Sequence, residues 1–375
     1  MSTFRRLRPA VLLAAVLALA AFVATGCGDD NKSSTTSSSS TTADSGAKAG
    51  KVAVLLPDSK SSVRWETQDR KYLGDAFKKA GVDATIVNAE GDKQAQITQA
   101  EQAITNGAKT LLLVDLDPGS GAAIIKKAHA AGVKVIDYDR LTLGGGADYY
   151  VSFDNSKVGK LQGDGLVKCL AAIKATRPVV AELNGSPTDN NATLFAQGYN
   201  SVLDPLYADG TYKKGPNQSV PDWDNQKALT IFEQMLQKTN NKIDGVLAAN
   251  DGLANSVISA LKARKLKQLP VTGQDATSQG IQNILAGDQC MTVYKAVRAE
   301  ADAAAALAIT LAKGQTPTTT ATTDNGDQKT PSVLLDPVAV TKENINDTVI
   351  KDGFLTTDEI CTGKYAALCK ENGIG

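Results

Sequence analysis

The chain has 375 residues, 42% of them hydrophobic, which is too long for one ordinary core and suits two α/β domains. Its 40 basic residues balance 40 acidic ones, so there is no net field to hold a polyanion, and nucleic acid is excluded as a partner.

The chain opens with Arg5, Arg6 and Arg8, then an alanine-rich apolar run from Ala10 to Ala24 that is too short for a convincing membrane span. Small residues Ala24-Thr25-Gly26 lead to Cys27, an ending that resembles a bacterial lipobox and implies a lipidated cysteine at the mature N-terminus. Leucine is usual where Ala24 stands, and ordinary secretion with cleavage nearby is the alternative. Residues 1–27 are therefore read as a lipoprotein signal peptide. Residues 28–50 carry a Ser/Thr run with nothing to bury and are read as a flexible tether.

From Lys51 onward strands and helices alternate. Val52–Leu56 reads as a strand, Trp65–Ala80 as a helix striped by Tyr72, Leu73, Ala76 and Phe77, and Ala84–Val87 as the second strand. Gln94–Asn106 is the next helix, Thr110–Val114 the third strand, and after a helix ending near Ala131 the run from Val133 supplies the fourth. A second set starts at Tyr149–Phe153. It continues with a helix capped by Asp154-Asn155, a strand at 178–183, a helix to about Leu203 and an irregular stretch from Pro205 to Pro221. Helix 226–238, strand 245–249, helix 253–264, strand 270–272, helix 278–286, strand 291–294, a long helix 296–312 and a last strand 333–335 complete it. Such alternation means parallel sheets covered by helices on both faces, in two doubly wound halves.

Ligands of open parallel sheets bind outside the carboxyl ends of the strands. Polar residues recur there: Arg64 after the first strand, Asp139-Arg140 after the fourth, then Asp189 and Asn191, Asn250-Asp251, Gln274-Asp275 and Lys295. Asp accepts hydrogen bonds and Arg donates up to five, which together suit the adjacent hydroxyls of a sugar. Asp139 is expected to pair with its neighbour Arg140. Each residue taken singly reads as a cap or turn residue, and the recurrence in both halves is the argument for a site. The two tryptophans, Trp65 and Trp223, lie in strand-to-helix connections of different halves. Flat aromatics there would cover the C–H faces of a pyranose while the polar groups take its rim.

The runs Tyr150–Gly159, Gly185–Ala192, Asn240–Asp251, Gly273–Ala276, Met291–Lys295 and Asn346–Phe354 resemble the type I periplasmic sugar-binding proteins of bacterial ABC importers, over about residues 51–358 and in the D-xylose-binding branch. The resemblance implies sugar contacts from Arg64, Asp139, Arg140, Asp189, Asn191, Asn250, Asp275 and Lys295, with Trp65 and Trp223 as stacking walls. It implies an N-terminal domain of 51–152 plus 296–335, a C-terminal domain of 153–295 plus 336–375, and a hinge of three chain crossings. It also implies a monomer without a cofactor, held outside the cytoplasm by its lipid, that delivers D-xylose to a membrane permease and its ATPase. Pro57-Asp58 departs from the acidic pair usual after the first strand. The 205–221 connection and the cysteine-bearing tail depart too.

Cys27 aside, four cysteines remain. Cys361 and Cys369 are close in a short tail and are expected to be paired, whereas pairing of Cys169 with Cys290 stays open. A glycoside hydrolase is the first rival reading, because Asp139, Asp189 and Asp275 could supply paired carboxylates. Their basic and amide neighbours suit hydroxyl binding instead, and no nucleophile elbow, Walker A or dinucleotide fingerprint is present. The single histidine, His129, reads as a surface residue, and Asp324–Asp327 as a turn rather than a calcium loop. Another aldose (glucose, galactose or arabinose) or a sensory role remain the alternatives within the sugar-binding reading.

Overall fold

The computed structural model describes residues 49–374. The expected signal peptide, Cys27 and nearly all of the tether lie outside the described residues. In the first lobe, β1 (Lys51–Leu56), β2 (Ala84–Asn88), β3 (Ala108–Leu113), β4 (Lys134–Tyr138) and β5 (Tyr149–Phe153) pair in parallel. Between them run α1 (Arg70–Lys79), α2 (Lys93–Thr105) and α3 (Pro118–Ala130). Leu111, Leu112 and Leu113 on β3 are all buried, as a parallel strand covered on both faces requires. Asp92 and Asp117 cap α2 and α3 with their carboxylates, and Pro118 opens α3.

The second lobe is built on β6 (Val179–Asn184), β7 (Lys213–Ser219) and β8 (Gly245–Ala248), again parallel. Around them lie α4 (Asn155–Ala172), α5 (Asn190–Ala208), α6 (Asn225–Lys238), α7 (Asp251–Ala263) and α8 (Ser278–Ala286). α4 and α5 cross closely. A side chain at Gly159 would strike the Phe195 backbone, and one at Gly198 the Ser156 carbonyl, so both glycines are needed for the approach. β7 falls in the stretch read from sequence as irregular. Its residues, KKGPNQS, are polar because it is the exposed edge of its sheet. The strand expected at 270–272 is reduced to one bridge, Val246 to Val271. There the Thr272 hydroxyl bonds both N and O of Ala248, at 3.0 Å each, in place of a backbone ladder.

Four later strands complete the two lobes. β9 (Thr292–Tyr294) leads into α9 (Val297–Ala312), which packs on the first lobe. The hairpin β10 (Ala321–Asp324) and β11 (Lys329–Leu335) follows, turning at Asn325–Gln328, and β11 lies parallel to β5. β12 (Val338–Val340) then pairs antiparallel with β9. The chain thus passes between the lobes after Phe153, after Lys295 and after Leu335. The first and third passes touch through Asp154 N–H to Leu335 O at 2.9 Å, and Lys295 Nζ sits 5.6 Å from the centre of the Phe153 ring.

Cys361 and Cys369 are bonded to each other in the tail, between α10 (Thr357–Ile360) and α11 (Tyr365–Glu371). Cys169 of α4 is bonded to Cys290, which precedes β9. Sequence left this second pair open because 121 residues separate its members, and only the packing of α4 beside β9 brings their Cα atoms to 6.3 Å. Non-reducing peptide mapping should recover both bridges. Cys169→Ser should lower stability by about 2–4 kcal/mol in denaturant titrations, since the bridge closes a long loop. Free thiols at Cys169 and Cys290 would contradict this.

Candidate functional site

All ten residues singled out as a site line one cavity between the lobes, together with Ser61, Ser62, Phe195 and Gln274. Its floor is a buried charge network. Arg64 stands at the head of a π-helical turn, Trp65–Asp69, that runs into α1. Its guanidinium grips Asp69 with two bonds of 2.8 Å, reaches Asp139 at 2.9 Å and Glu300 of α9 at 2.5 Å. Four of its five N–H donors are thus spent inside the protein.

Asp139 gathers the network. Its carboxylate also meets Lys295 at 3.3 Å and the Asn191 amide at 3.1 Å. Its carbonyl accepts from Ser152 at 2.8 Å, Asn191 at 3.0 Å and Tyr150 at 3.1 Å. These bonds hold Asp139 at φ 62°, a left-handed conformation costly for a residue with a side chain. Asp275 (φ 95°), Asp222 (φ 60°) and Trp223 (φ 55°) are held in the same region beside the cavity. Burial by itself would lift the Asp139 pKa. Lys295 and Arg64, then Arg140, outweigh it and hold the carboxyl well below the usual range. For Lys295 burial favours the neutral amine, but Asp139 and Asp275 overcome it and keep the side chain cationic.

The expected Asp139–Arg140 pair does not form. A left-handed residue turns successive side chains apart, and Arg140 instead meets Asp189 of the other lobe at 3.2 Å, the Asp115 carbonyl at 3.0 Å and the Ser61 hydroxyl at 3.2 Å. Ser61 in turn accepts from the Trp65 indole at 3.1 Å and donates to Asp58 at 2.8 Å. One short hydroxyl therefore orients both Arg140 and Trp65. It lies in a serine-rich turn whose composition gave no sign of this.

In the second lobe, cap and cavity are served by the same residues. Asp189 caps α5 by accepting from Asn191 N–H at 2.9 Å, and its other oxygen receives the Trp223 indole at 3.0 Å. Asn250 caps α7 through Leu253 N–H at 2.9 Å, while its amide reaches the Ser61 carbonyl at 3.4 Å across the cleft. Ser62 of the first lobe meets Asp275 of the second at 3.2 Å. Gly185 leaves room for the Trp223 ring, which a side chain there would strike. Phe195 meets that ring edge-on at 6.4 Å. Asn191 has both amide atoms engaged, with Asp139 and with Asn155 at 2.8 Å, and so positions Asp139. His129 is far from this set in kind and place, paired at 2.9 Å with Asp148 on the exposed end of α3.

Asp251, next to Asn250, accepts four hydrogen bonds of 2.8–3.1 Å from Thr277, Gln289 and Thr292. It thereby ties the starts of α7 and α8 to β9, which sets the loop bearing Gln274 and Asp275 against Lys295.

Asp69 and Glu300 were not legible as parts of the site. Each is a charged residue in a helical run, a pattern that ordinarily means a solvated face. Gln274 was named at its strand end but not as a contact, and Phe195 follows Asn191 by one helical turn.

Two α/β lobes crossed three times by one chain, with polar residues converging from strand ends on a buried cleft, define a type I periplasmic-binding-protein fold. The comparisons make the assignment specific. The periplasmic binding protein domain matches residues 52–316, and the chain belongs to that family. It is 41% identical over 298 residues to the D-xylose-binding periplasmic protein of Haemophilus influenzae, covering 79% of this chain and 88% of the relative. It is 38% identical over 315 residues to the protein of the same name from Escherichia coli, covering 84% and 93%. A carbohydrate transporter solute binding protein from Chloroflexus aurantiacus, solved with D-glucose, is 31% identical with a TM-score of 0.76, covering 82% of this chain and 97% of that one.

Two cations, Arg64 and Lys295, face four carboxyls, Asp69, Asp139, Asp275 and Glu300. Glu300 yields: burial, opposed by Arg64, raises its pKa to about 8, and one of its oxygens has no partner. Between the ordinary glutamate value of about 4.3 and about 8, the folded protein holds a proton that the unfolded chain has released. Stability from this group is therefore full below the ordinary value and lost as pH rises through the folded one. Thermal melts from about pH 5 to pH 8 should show a declining midpoint that Glu300→Gln makes shallower, the remaining slope coming from Asp115 and Asp251, which burial also raises to about 7. The same decline in both proteins would contradict this assignment.

Proposed function

We propose that this chain is an extracytoplasmic solute-binding protein that encloses one monosaccharide, D-xylose in first place, between its lobes and presents it to an ABC permease and ATPase. The observation that carries the reading is the cavity itself, where cationic, anionic and amide groups from both lobes meet two indoles in a buried space. Such a set matches hydroxyl donors and acceptors around a ring and the C–H faces above and below it. The names of the 41% and 38% identical relatives support the pentose, and the D-glucose in the Chloroflexus structure makes hexoses the alternative to test.

The lobes we assign are 51–152 with 296–335, and 153–295 with 336–375, with the hinge at the three crossings. Full contact with a sugar needs groups from both, so the sugar favours the closed arrangement by its differential affinity. Asp139, Asp189 and Asp275 are engaged by Lys295, Arg140 and Ser62, partners that suit hydroxyl binding, and we assign no catalysis. We assign the protein to the outer face of the cell membrane as a monomer, anchored by lipid on Cys27. Cys27→Ser should then release it to the soluble or culture fraction, and unchanged membrane association would count against the anchor.

Calorimetry should find 1:1 binding of D-xylose near micromolar, roughly −8 kcal/mol. Asn250→Ala should weaken it about tenfold to a hundredfold by removing an amide from a dry site, and should also cost about 1 kcal/mol of stability through the lost α7 cap. Asn250→Asp, which keeps the capping oxygen, should separate the two effects. Arg140→Ala should weaken binding at least as much, because it leaves Asp189 buried without its cation. His129→Ala is the silent control. Failure of D-xylose and of the hexoses to bind the wild type, or unchanged affinity in the Asn250 and Arg140 variants, would contradict the assignment.

A further inference from the structure

Beyond the inner cavity lies a second chamber that the monosaccharide reading does not use. It opens between the lobes, and the two share Arg140, Asp189 and Trp223 as a common wall. The Arg140–Asp189 pair and the indole therefore form a partition that a ligand could contact from both sides.

The outer chamber has built polar features. Asp115 follows β3 and lines it, only 4% exposed. Among the described residues its carboxylate receives no hydrogen bond from another residue, whereas its carbonyl is taken by Arg140 at 3.0 Å. Burial, only partly opposed by Arg140, raises its pKa to about 7, so near neutrality it can both donate and accept. Facing it from the second lobe are the hydroxyls of Ser186 and Thr188, 3.0 Å apart. Ser186 also accepts from the Asp222 N–H at 3.1 Å, which fixes its position. A carboxyl, two hydroxyls and the edge of an indole around a space that shares a wall with the sugar cavity are the chemistry of a second sugar site.

We propose that the outer chamber is a second sugar subsite, so that the protein also takes up a pentose disaccharide, one ring in the inner cavity and the other against Asp115, Ser186 and Thr188. This rests on the inner cavity holding a pentose, and D-xylose is titrated in parallel so that the two claims fail separately. The test uses xylobiose with the whole mature protein. Native mass spectrometry confirms that the intact disaccharide is the bound species, and calorimetry gives its affinity. Xylobiose should bind 1:1. Thr188→Trp, an exposed position where a large ring fills the outer chamber, should weaken xylobiose at least about tenfold and leave D-xylose within about twofold. Asp115→Asn, which preserves shape and the backbone bond to Arg140, should weaken xylobiose alone by about tenfold. The subsite is overturned if D-xylose binds and xylobiose does not, or if xylobiose binds with the same affinity to the wild type and to both variants. If neither sugar binds, the inner-cavity reading falls and the subsite with it.

Discussion

The site depends on one buried carboxylate, that of Asp139. It is held in a left-handed turn at the end of β4, and Arg64 and Lys295 close on it from two different parts of the chain. Ions so deeply buried gain little net stability from each other, yet removing one partner of such a pair typically costs about 3–5 kcal/mol because the other is left uncompensated. The consequence is specification rather than strength. Arg64 fixes the start of α1, Lys295 fixes the crossing after β9, and Asn191 and Tyr150 bind the same residue from the second lobe and from β5. The cavity floor is held by Arg64 and Lys295, each of which binds more than one carboxyl. The strain at Asp139 is offset by the three donors on its carbonyl.

Above that floor the protein economises on residues. Asp189 and Asn250 each spend one oxygen on a helix N-terminus and point the rest of the side chain into the cleft. Bonds to a helix end and to a neighbour hold the rotamer, so the group that faces a ligand is oriented before the ligand arrives. This is preorganisation by shared use, and it couples binding to local stability at both positions. Trp223 shows the same device in another form. Its indole N–H is tied to Asp189, and its ring sits in space that exists because residue 185 is glycine.

The sheets were legible in the sequence because parallel strands covered on both faces carry runs of apolar residues, as β1, β8 and the Leu111–Leu113 part of β3 do. Edges were not. β7 is polar because it is exposed, and β10 is a short polar strand that reads as a loop. The segment at 270–272 reads as a strand, but a threonine hydroxyl takes over its ladder. The ten candidate residues share one cavity because they stand in the connections that follow strand ends, a position the pattern itself marks. What the pattern could not give was who pairs with whom. Asp139 and Arg140 are neighbours in sequence and bind different partners, since the backbone between them turns left-handed. Asp69 and Glu300 sit within helical runs, where a charge ordinarily faces water, and only the packing of α9 across α1 shows them to be buried. The Cys169–Cys290 bridge was hidden for the same reason, being a product of tertiary contact across 121 residues.

A cleft with contributions from both lobes implies that a ligand and closure are one event. Ser62 meeting Asp275, Arg140 meeting Asp189 and Asn250 reaching Ser61 all cross the cleft, and a sugar between them would add to the same set. The most direct test is small-angle X-ray scattering of the mature protein with and without saturating D-xylose, saturation being established calorimetrically. The radius of gyration should fall and the scattering curve should approach that calculated for the arrangement described above. A protein that binds D-xylose to saturation with an unchanged scattering curve would contradict the account.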